Sequence, residues 1–201
     1  MGEMVRIAVV HDEKLLRSAL VQLLRSDDTL DVSSHCLDTD GPELSAALPA
    51  DVCVVDGECL TGPEDGAGRL RARYGDRLVV LATAKRPGVL RRAFDGGALG
   101  LVDKNAPAHR LITAVHTVAQ GERFLDETLT VALLKGAEMP LTTRELGVLA
   151  LASQGAPIAE IAARLHLSRG TVRNYLATAV RKVGARNRVD AIRIVQSAGW
   201  T

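Results

Sequence analysis

Residues 6–20 read RIAVVHDEKLLRSAL, and this stretch decides how the first half of the chain is interpreted. An apolar run typical of a buried strand leads directly into three ionisable residues, His11, Asp12 and Glu13. Leucines then recur at helical spacing as far as residue 25. In an open α/β sheet, ligands bind at the carboxyl ends of the strands, so these residues indicate a site. A solvated turn in which Asp12 caps the helix is the alternative interpretation.

The same pattern of strand and helix repeats to about residue 120. Strands are predicted at 5–10, 31–36, 51–56, 77–82 and 98–102. Helices are predicted at 12–25, 42–48, 88–95 and 106–120, and a further helix follows the turn at 61–66 and runs to residue 74. Short connections between alternating strands and helices predict a parallel sheet with helices on both faces. We therefore expect an α/β fold, a (βα)5 doubly wound parallel sheet, followed by a small all-α domain.

The charge is divided unevenly along the chain, although its formal total is only +1. Residues 1–120 carry 14 basic and 17 acidic side chains, and residues 121–139 carry 2 and 4. Residues 140–201 carry 9 basic and 3 acidic side chains, a net charge of +6. This division predicts that the domain at 140–201, and not the domain at 1–120, binds a polyanion. Between them, residues 121–139 are interpreted as a linker, and their apolar residues indicate that it is partly helical.

Other classes of protein are disfavoured by composition. We expect a cytoplasmic protein without a signal peptide or membrane span, since no apolar run approaches the required length of roughly 20 residues. The three cysteines, Cys36, Cys53 and Cys59, lack the spacing of a zinc site and are expected to be small buried residues. Arginine outnumbers lysine by 20 to 5, a bias that is typical of a GC-rich genome.

The last sixty or so residues predict a cluster of short helices. Thr142 and Glu145 have the spacing of a capping box that opens the first helix, and Pro157 begins the second. Ser168 caps a third helix, which runs to about residue 183. A short helix and a tight turn before this third helix are typical of a helix-turn-helix unit, whose last helix enters the major groove of DNA.

The polar face of the third helix supplies the candidate DNA contacts. Arg173 and Asn174 suit guanine and adenine edges, with Thr178 beside them. Four further residues are placed for phosphate contacts: Arg169, Thr171, Arg181 and Lys182. A solvated basic face is the alternative interpretation of this pattern.

Several spaced motifs in this region resemble the helix-turn-helix domain of LuxR/FixJ-type regulators. They are L-T-x-R-E from Leu141, E-I-A from Glu160, L-S-x-x-T-V-R-N from Leu167 and K-V-G-A from Lys182. Tyr175 departs from the histidine that is common in the family. The helix at 187–196 matches the one that family members use for dimerisation. The resemblance implies a homodimer that binds inverted repeats in double-stranded DNA.

The first 120 residues resemble the receiver domain of bacterial response regulators. The spacing G-A-x-G, then three residues, then Lys104 carries the alignment. The resemblance implies that Asp56 is the phosphoacceptor, Asp12 a Mg²⁺ ligand and Lys104 the partner of the phosphoryl group. It also implies a histidine kinase as partner. Such regulators are transcription factors and not enzymes.

The receiver pattern is incomplete at three positions. His11 stands where the family has its first acid, although Glu13 is placed to compensate. Ala82 occupies the Thr/Ser switch position, with Thr83 one residue late, and Leu101 replaces the aromatic switch residue. Imidazole is a poor substitute for a carboxylate in an octahedral oxygen site, so Mg²⁺ at Asp12 and Asp56 is expected to be weak.

Three interpretations of the receiver stay open. The first is a degenerate receiver controlled by dimerisation, a small-molecule effector or a partner protein. The second is conventional phosphorylation at Asp56, and the third treats the acids as structural. Two other classes of protein are disfavoured. A mononucleotide-binding enzyme needs a glycine-rich loop after the first strand, and a sigma factor needs a DNA-melting domain that is rich in aromatic residues, which here make up 2% of the chain.

Overall fold

The computed structural model describes residues 4–35, 50–60, 66–135 and 140–200. The chain divides by internal contacts into two compact units. The first comprises residues 1–85 and 89–134, and the second comprises residues 135–201 together with 86–88. The helix predicted at 42–48 and the burial predicted for Cys36 fall outside the described residues.

The first unit is built on a six-stranded sheet in which every neighbouring pair of strands is parallel. Its order along the sheet is β2-β1-β3-β4-β5-β6. The strands are β1 (Val5–Val10), β2 (Leu30–His35), β3 (Val52–Asp56), β4 (Leu78–Ala82), β5 (Gly100–Asp103) and β6 (Phe124–Leu125). Strands β3, β4 and β5 are buried throughout, as expected for central strands that helices cover on both faces.

Helices lie on both faces of this sheet. They are α1 (Lys14–Leu24), α2 (Gly66–Tyr74), α3 (Pro87–Asp95), α4 (Ala108–Ala119) and α5 (Glu127–Lys135). A short 3₁₀ helix, Gly57–Leu60, follows β3. Alternate residues of the strands point into two separate apolar cores, one with Val55 and Val80 and the other with Val54 and Val79. The predicted doubly wound α/β fold is confirmed.

The segment after residue 120 adds two elements that the sequence pattern did not predict as part of the sheet unit. Phe124 and Leu125 pair with Gly100 and Leu101, so β6 covers the open edge of β5. Leu129 and Leu133 of α5 are buried in the core that contains Val55. The predicted linker at 121–139 therefore begins with residues that pack on the sheet, while its boundaries stay a prediction.

The second unit is a cluster of four helices among the described residues. They are α6 (Thr143–Ser153), α7 (Ile158–Arg164), α8 (Arg169–Lys182) and α9 (Arg188–Ser197). Their apolar stripes meet in one core that includes Leu149, Ile161, Val172 and Val195. The capping box predicted for Thr142 and Glu145 is present, with both reciprocal hydrogen bonds formed. These helices therefore begin and end close to the residues that the capping patterns predict.

Candidate functional site

The carboxylate of Asp56, at the end of β3, lies at the centre of a polar cluster on the carboxyl edge of the sheet. Its exposed fraction is only 5%. Lys104 Nζ lies 2.6 Å from Oδ2 and 2.8 Å from Oδ1 of Asp56. The backbone N–H of Glu58 donates to Oδ1 at 2.9 Å. The predicted convergence of Asp56 and Lys104 is present, and the buried carboxylate is balanced by a cation from the same unit.

His11, which directly follows β1, is buried within this cluster and contacts Asp56. Its exposed fraction is 5%, and its Nε2 lies 3.1 Å from Oδ2 of Asp56. Its Nδ1 accepts a hydrogen bond from the backbone N–H of Glu13 at 3.0 Å. Because Nδ1 is the acceptor, the ring proton is on Nε2, and His11 donates to Asp56. The residue that stands at the position of the first acid thus directs an N–H group at Oδ2 of Asp56.

The oxygen donors for a divalent cation are correspondingly few. Asp12 is exposed, and its Oδ2 accepts a hydrogen bond from Cys59 Sγ at 3.3 Å. Burial raises the pKa of the Cys59 thiol to about 12, so this thiol is protonated at neutral pH and can donate to Asp12. Within the described ranges, no group of three or more His, Cys, Asp or Glu residues is placed to hold a metal ion. The residues present do not fit the octahedral oxygen shell that Mg²⁺ requires.

The two switch positions carry groups that cannot hydrogen bond to a phosphoryl oxygen through their side chains. Ala82 ends β4, and its carbonyl accepts the backbone N–H of Lys104 at 2.9 Å. Thr83 Oγ1 is turned to its own loop, where it accepts the N–H of Lys85 at 3.1 Å. Leu101 is buried within β5. Modification of Asp56 would therefore meet no side-chain hydroxyl at Ala82 and no aromatic ring at Leu101.

A second polar network, which no sequence motif indicates, joins the end of β5 to α5. The Asp103 carboxylate accepts from Thr128 Oγ1 at 2.9 Å and from the backbone N–H of Asn105 at 2.9 Å. Asp126 accepts from the backbone N–H of Asp103 at 3.1 Å and pairs with Arg110 at 2.7 Å. Burial alone would raise the pKa of Asp103, but its hydrogen bonds outweigh burial and lower that pKa. The residue before Lys104 is thus tied to α5.

In the second unit, α8 has the geometry predicted for a recognition helix. Ser168 caps it by accepting the backbone N–H of Thr171 at 3.0 Å. The preceding turn includes His166 at φ 54°, a left-handed conformation that is uncommon outside glycine. Val172, Leu176 and Ala179 are buried against the other helices. The opposite face of α8 is consequently left towards solvent.

The candidate DNA contacts fall mostly on this solvent-facing side. Arg169, Arg173, Asn174 and Arg181 are exposed, and Thr171 and Thr178 are half-buried. Thr171 Oγ1 also lies 2.8 Å from Ser168 Oγ. Exposed Arg and Asn side chains near the amino end of a capped helix are suited to contact base edges.

Lys182 has a partner that its sequence position did not reveal. Its Nζ lies 2.8 Å from Oε2 of Glu145, whose side chain is 6% exposed. The same Glu145 oxygen accepts the backbone N–H of Thr142 at 2.8 Å. Lys182 therefore joins the end of α8 to the beginning of α6, and its predicted phosphate contact stays a prediction.

Comparisons with known proteins agree with both units. The family described as bacterial regulatory proteins, luxR family (GerE) matches residues 139–195. The protein called Response regulator RamR of Streptomyces coelicolor is 98% identical over all of both chains. The transcriptional regulatory protein DesR of Bacillus subtilis is 34% identical, with 98% of this chain and 99% of DesR covered.

Solved structures show the same fold over the whole chain. The response regulator ChrA of a heme-sensing two-component system has 26% identity and a TM-score of 0.56, with 100% of both chains covered. The two-component response regulator RcsB, in a complex with DNA, has a TM-score of 0.61 at 20% identity and supports the fold alone. None of the described helices is long and apolar enough to cross a membrane. The chain therefore belongs to the response regulators, two-component transcription factors whose DNA-binding domain is of the LuxR type.

Proposed function

We propose that this regulator is cytoplasmic, binds inverted repeats in promoter DNA as a homodimer, and is controlled through its receiver unit without conventional phosphorylation of Asp56. The observation that carries the proposal is the set of hydrogen bonds to Asp56. Both carboxylate oxygens are engaged by Lys104, and His11 and Glu58 contribute one further donor each. The N–H of His11 has to leave Oδ2 before this oxygen can attack a phosphodonor.

The negative charge of the phosphoryl group is the second obstacle to phosphorylation of Asp56. Phosphoryl transfer to a carboxylate needs a cation that neutralises the developing negative charge. With His11 in place of an acid, we expect Mg²⁺ affinity in the millimolar range or weaker, because few carboxylates face this strongly hydrated ion. A small-molecule effector or self-association then becomes the input that sets the DNA affinity.

The alternative is a conventional response regulator, with a histidine kinase as partner and Asp56 as phosphoacceptor. The closeness of Lys104 to Asp56 favours it, because a cation at this position stabilises an acyl phosphate. The two functions differ in whether Asp56 becomes modified when a phosphodonor and Mg²⁺ are supplied.

Treatment with acetyl phosphate and Mg²⁺ is expected to leave Asp56 largely unmodified and the DNA affinity unchanged. Intact-mass spectrometry measures the modification, and fluorescence anisotropy with operator DNA measures the affinity. Beryllofluoride, which mimics a phosphoryl group, is likewise expected not to change dimerisation. A stoichiometric gain of one phosphoryl group that Asp56→Asn abolishes would establish the conventional mechanism instead.

Arg173→Ala is expected to weaken operator binding by about 1–3 kcal/mol and to relax base preference at one position of each half-site. Arg181→Ala, on the same exposed face, is expected to weaken binding to all sequences alike and to reduce the salt slope by about 1. Titrations of operator and scrambled DNA at several salt concentrations separate the two effects. Arg71→Ala, which removes an exposed arginine of α2 in the receiver unit, is the matched control. Parental affinity of Arg173→Ala would exclude base contacts by this residue.

A further inference from the structure

A cavity of about 330 Å³ opens between α1 and α4, directly beside Asp56. Its walls are apolar side chains from α1 and from the beginning of α4: Leu16, Leu20, Leu23, Pro107, Ala108 and Leu111. Its inner end is formed by His11, Asp56 and Lys104. This volume is at the lower end of the range typical of small-molecule sites, which are lined mainly by apolar groups with a few polar ones.

The hydrogen bonds at the inner end decide which ligand would be complementary. Both ring nitrogens of His11 are engaged, one by Glu13 and the other by Asp56. The Asp56 oxygens already accept from three residues. An ammonium group carries three N–H donors, and contacts with the two oxygens of Asp56 use two of those on Lys104. The third N–H of Lys104 can therefore donate a hydrogen bond to an acceptor atom of a ligand.

The charges of the residues that line the cavity disfavour an anionic ligand. Asp56 and Asp103 both line the cavity, and Lys104 is the one cation among its lining residues within the described part of the chain. Asp56 already balances this cation at 2.6 Å. A second negative charge would be repelled by Asp103 and desolvated by the leucines of α1. A neutral oxygen acceptor on an apolar body avoids both costs.

We propose that this cavity binds an uncharged, mostly apolar small molecule through one carbonyl-type oxygen that accepts from Lys104. Such a ligand contacts Lys104 and Pro107, and Asp103, the last residue of β5, accepts a hydrogen bond from Thr128 of α5. Ligand binding in the cavity can therefore change the position of α5 through the hydrogen bond between Asp103 and Thr128. Control of DNA binding by this ligand rests on the proposed function, whereas binding of the ligand to the cavity does not.

Benzophenone is a suitable probe, because it is neutral, apolar and carries one carbonyl oxygen. On irradiation its ketone abstracts a hydrogen from a nearby C–H bond, and the two radicals combine into a covalent adduct. The full chain is irradiated with increasing benzophenone, digested with trypsin and analysed by mass spectrometry. We expect saturable labelling of the fragments 18–25, 105–110 and 111–123, which contain the cavity walls.

A matched pair of substitutions separates site binding from general adsorption. Ala19 lies in α1 and lines the cavity, whereas Ala72 is exposed on α2 and does not. Ala19→Leu is expected to reduce labelling of these fragments by about tenfold, and Ala72→Leu to leave it unchanged. Lys104→Met is expected to raise the half-saturating concentration by about tenfold, the effect of losing one charge-assisted hydrogen bond. In this variant labelling is followed on fragments 18–25 and 111–123, because the tryptic site after residue 104 is lost.

Two outcomes would overturn the proposal. The first is labelling that Ala19→Leu does not reduce, since adsorption elsewhere would explain it. The second is labelling that disappears as the protein self-associates at higher concentration, since a second copy of the chain would then be the occupant. Neither measurement uses a phosphodonor, so failure here is distinguishable from failure of the proposed function.

Discussion

His11→Asp is expected to raise the Mg²⁺ affinity of the receiver unit by about tenfold or more and to make Asp56 a phosphoacceptor. The substitution removes the N–H that occupies Oδ2 of Asp56 and adds a carboxylate at the same place. The new carboxylate and Asp56 repel each other unless a cation lies between them. Mg²⁺ should therefore raise the melting temperature of His11→Asp but not that of the parent. Calorimetric titration and intact mass after acetyl phosphate treatment measure the two effects.

His11→Asn is the matched control, because an amide keeps a donor towards Asp56 and adds no charge. If His11→Asp binds Mg²⁺ no better than His11→Asn, the first acid is not what limits the site. Phosphorylation of His11→Asp is still expected to leave DNA affinity unchanged, since Ala82 offers no hydroxyl to the phosphoryl group. The double variant with Ala82→Thr tests whether the missing hydroxyl is the remaining obstacle.

Glu145→Ala is expected to lower the free energy of unfolding of the second unit by about 3 kcal/mol. The substitution removes one half of the capping box of α6 and leaves Lys182 without its partner. Trp200, the single tryptophan, packs against the core of this unit, so its fluorescence during urea unfolding reports on this unit. Glu160→Ala is the matched control, because Glu160 forms an exposed i,i+4 pair with Arg164 that is worth at most about 0.5 kcal/mol. If the two substitutions lowered the free energy of unfolding equally, the burial of Glu145 would not be the reason for its larger contribution.

The same residue predicts a pH dependence. Burial alone would raise the pKa of Glu145, but hydrogen bonds from Lys182 and Thr142 outweigh burial and hold that pKa below 4.5. A carboxyl whose pKa is lowered on folding stabilises the native state above its unfolded pKa. This contribution is therefore complete above pH 4.5 and is lost as the pH falls through the lower folded pKa. In Glu145→Ala, this part of the acid sensitivity should be absent.

The sequence was sufficient to predict the repeating units of the fold, because the hydrophobic period changes clearly between strands and helices. It was not sufficient for β6, since two residues, Phe124 and Leu125, are too few to show a period. Their place in the sheet depends on pairing with Gly100 and Leu101, more than twenty residues away. Local pattern carries no information about such a contact.

The sequence predicted which residues form the candidate site, but not the hydrogen bonds between them. Asp56 and Lys104 converge because β3 and β5 end at the same edge of a parallel sheet, with only β4 between them. The departure at His11 is visible in the sequence itself. That His11 donates to Asp56 depends on the N–H of Glu13 fixing the imidazole proton, which only coordinates show. The same holds for Lys182, which is a basic residue on a DNA-binding helix by its sequence and the partner of Glu145 in the structure.

The position of β6 sets where the receiver unit can be cut from the rest of the chain. A fragment that ends at residue 120 loses the strand that pairs with β5 and the buried leucines Leu129 and Leu133. It would present an open, apolar strand edge, which is a template for intermolecular pairing and aggregation. A fragment that ends after Leu134 keeps this edge covered. Studies of the isolated receiver should therefore begin with the longer fragment, whose behaviour in solution reports on the receiver and not on an exposed edge.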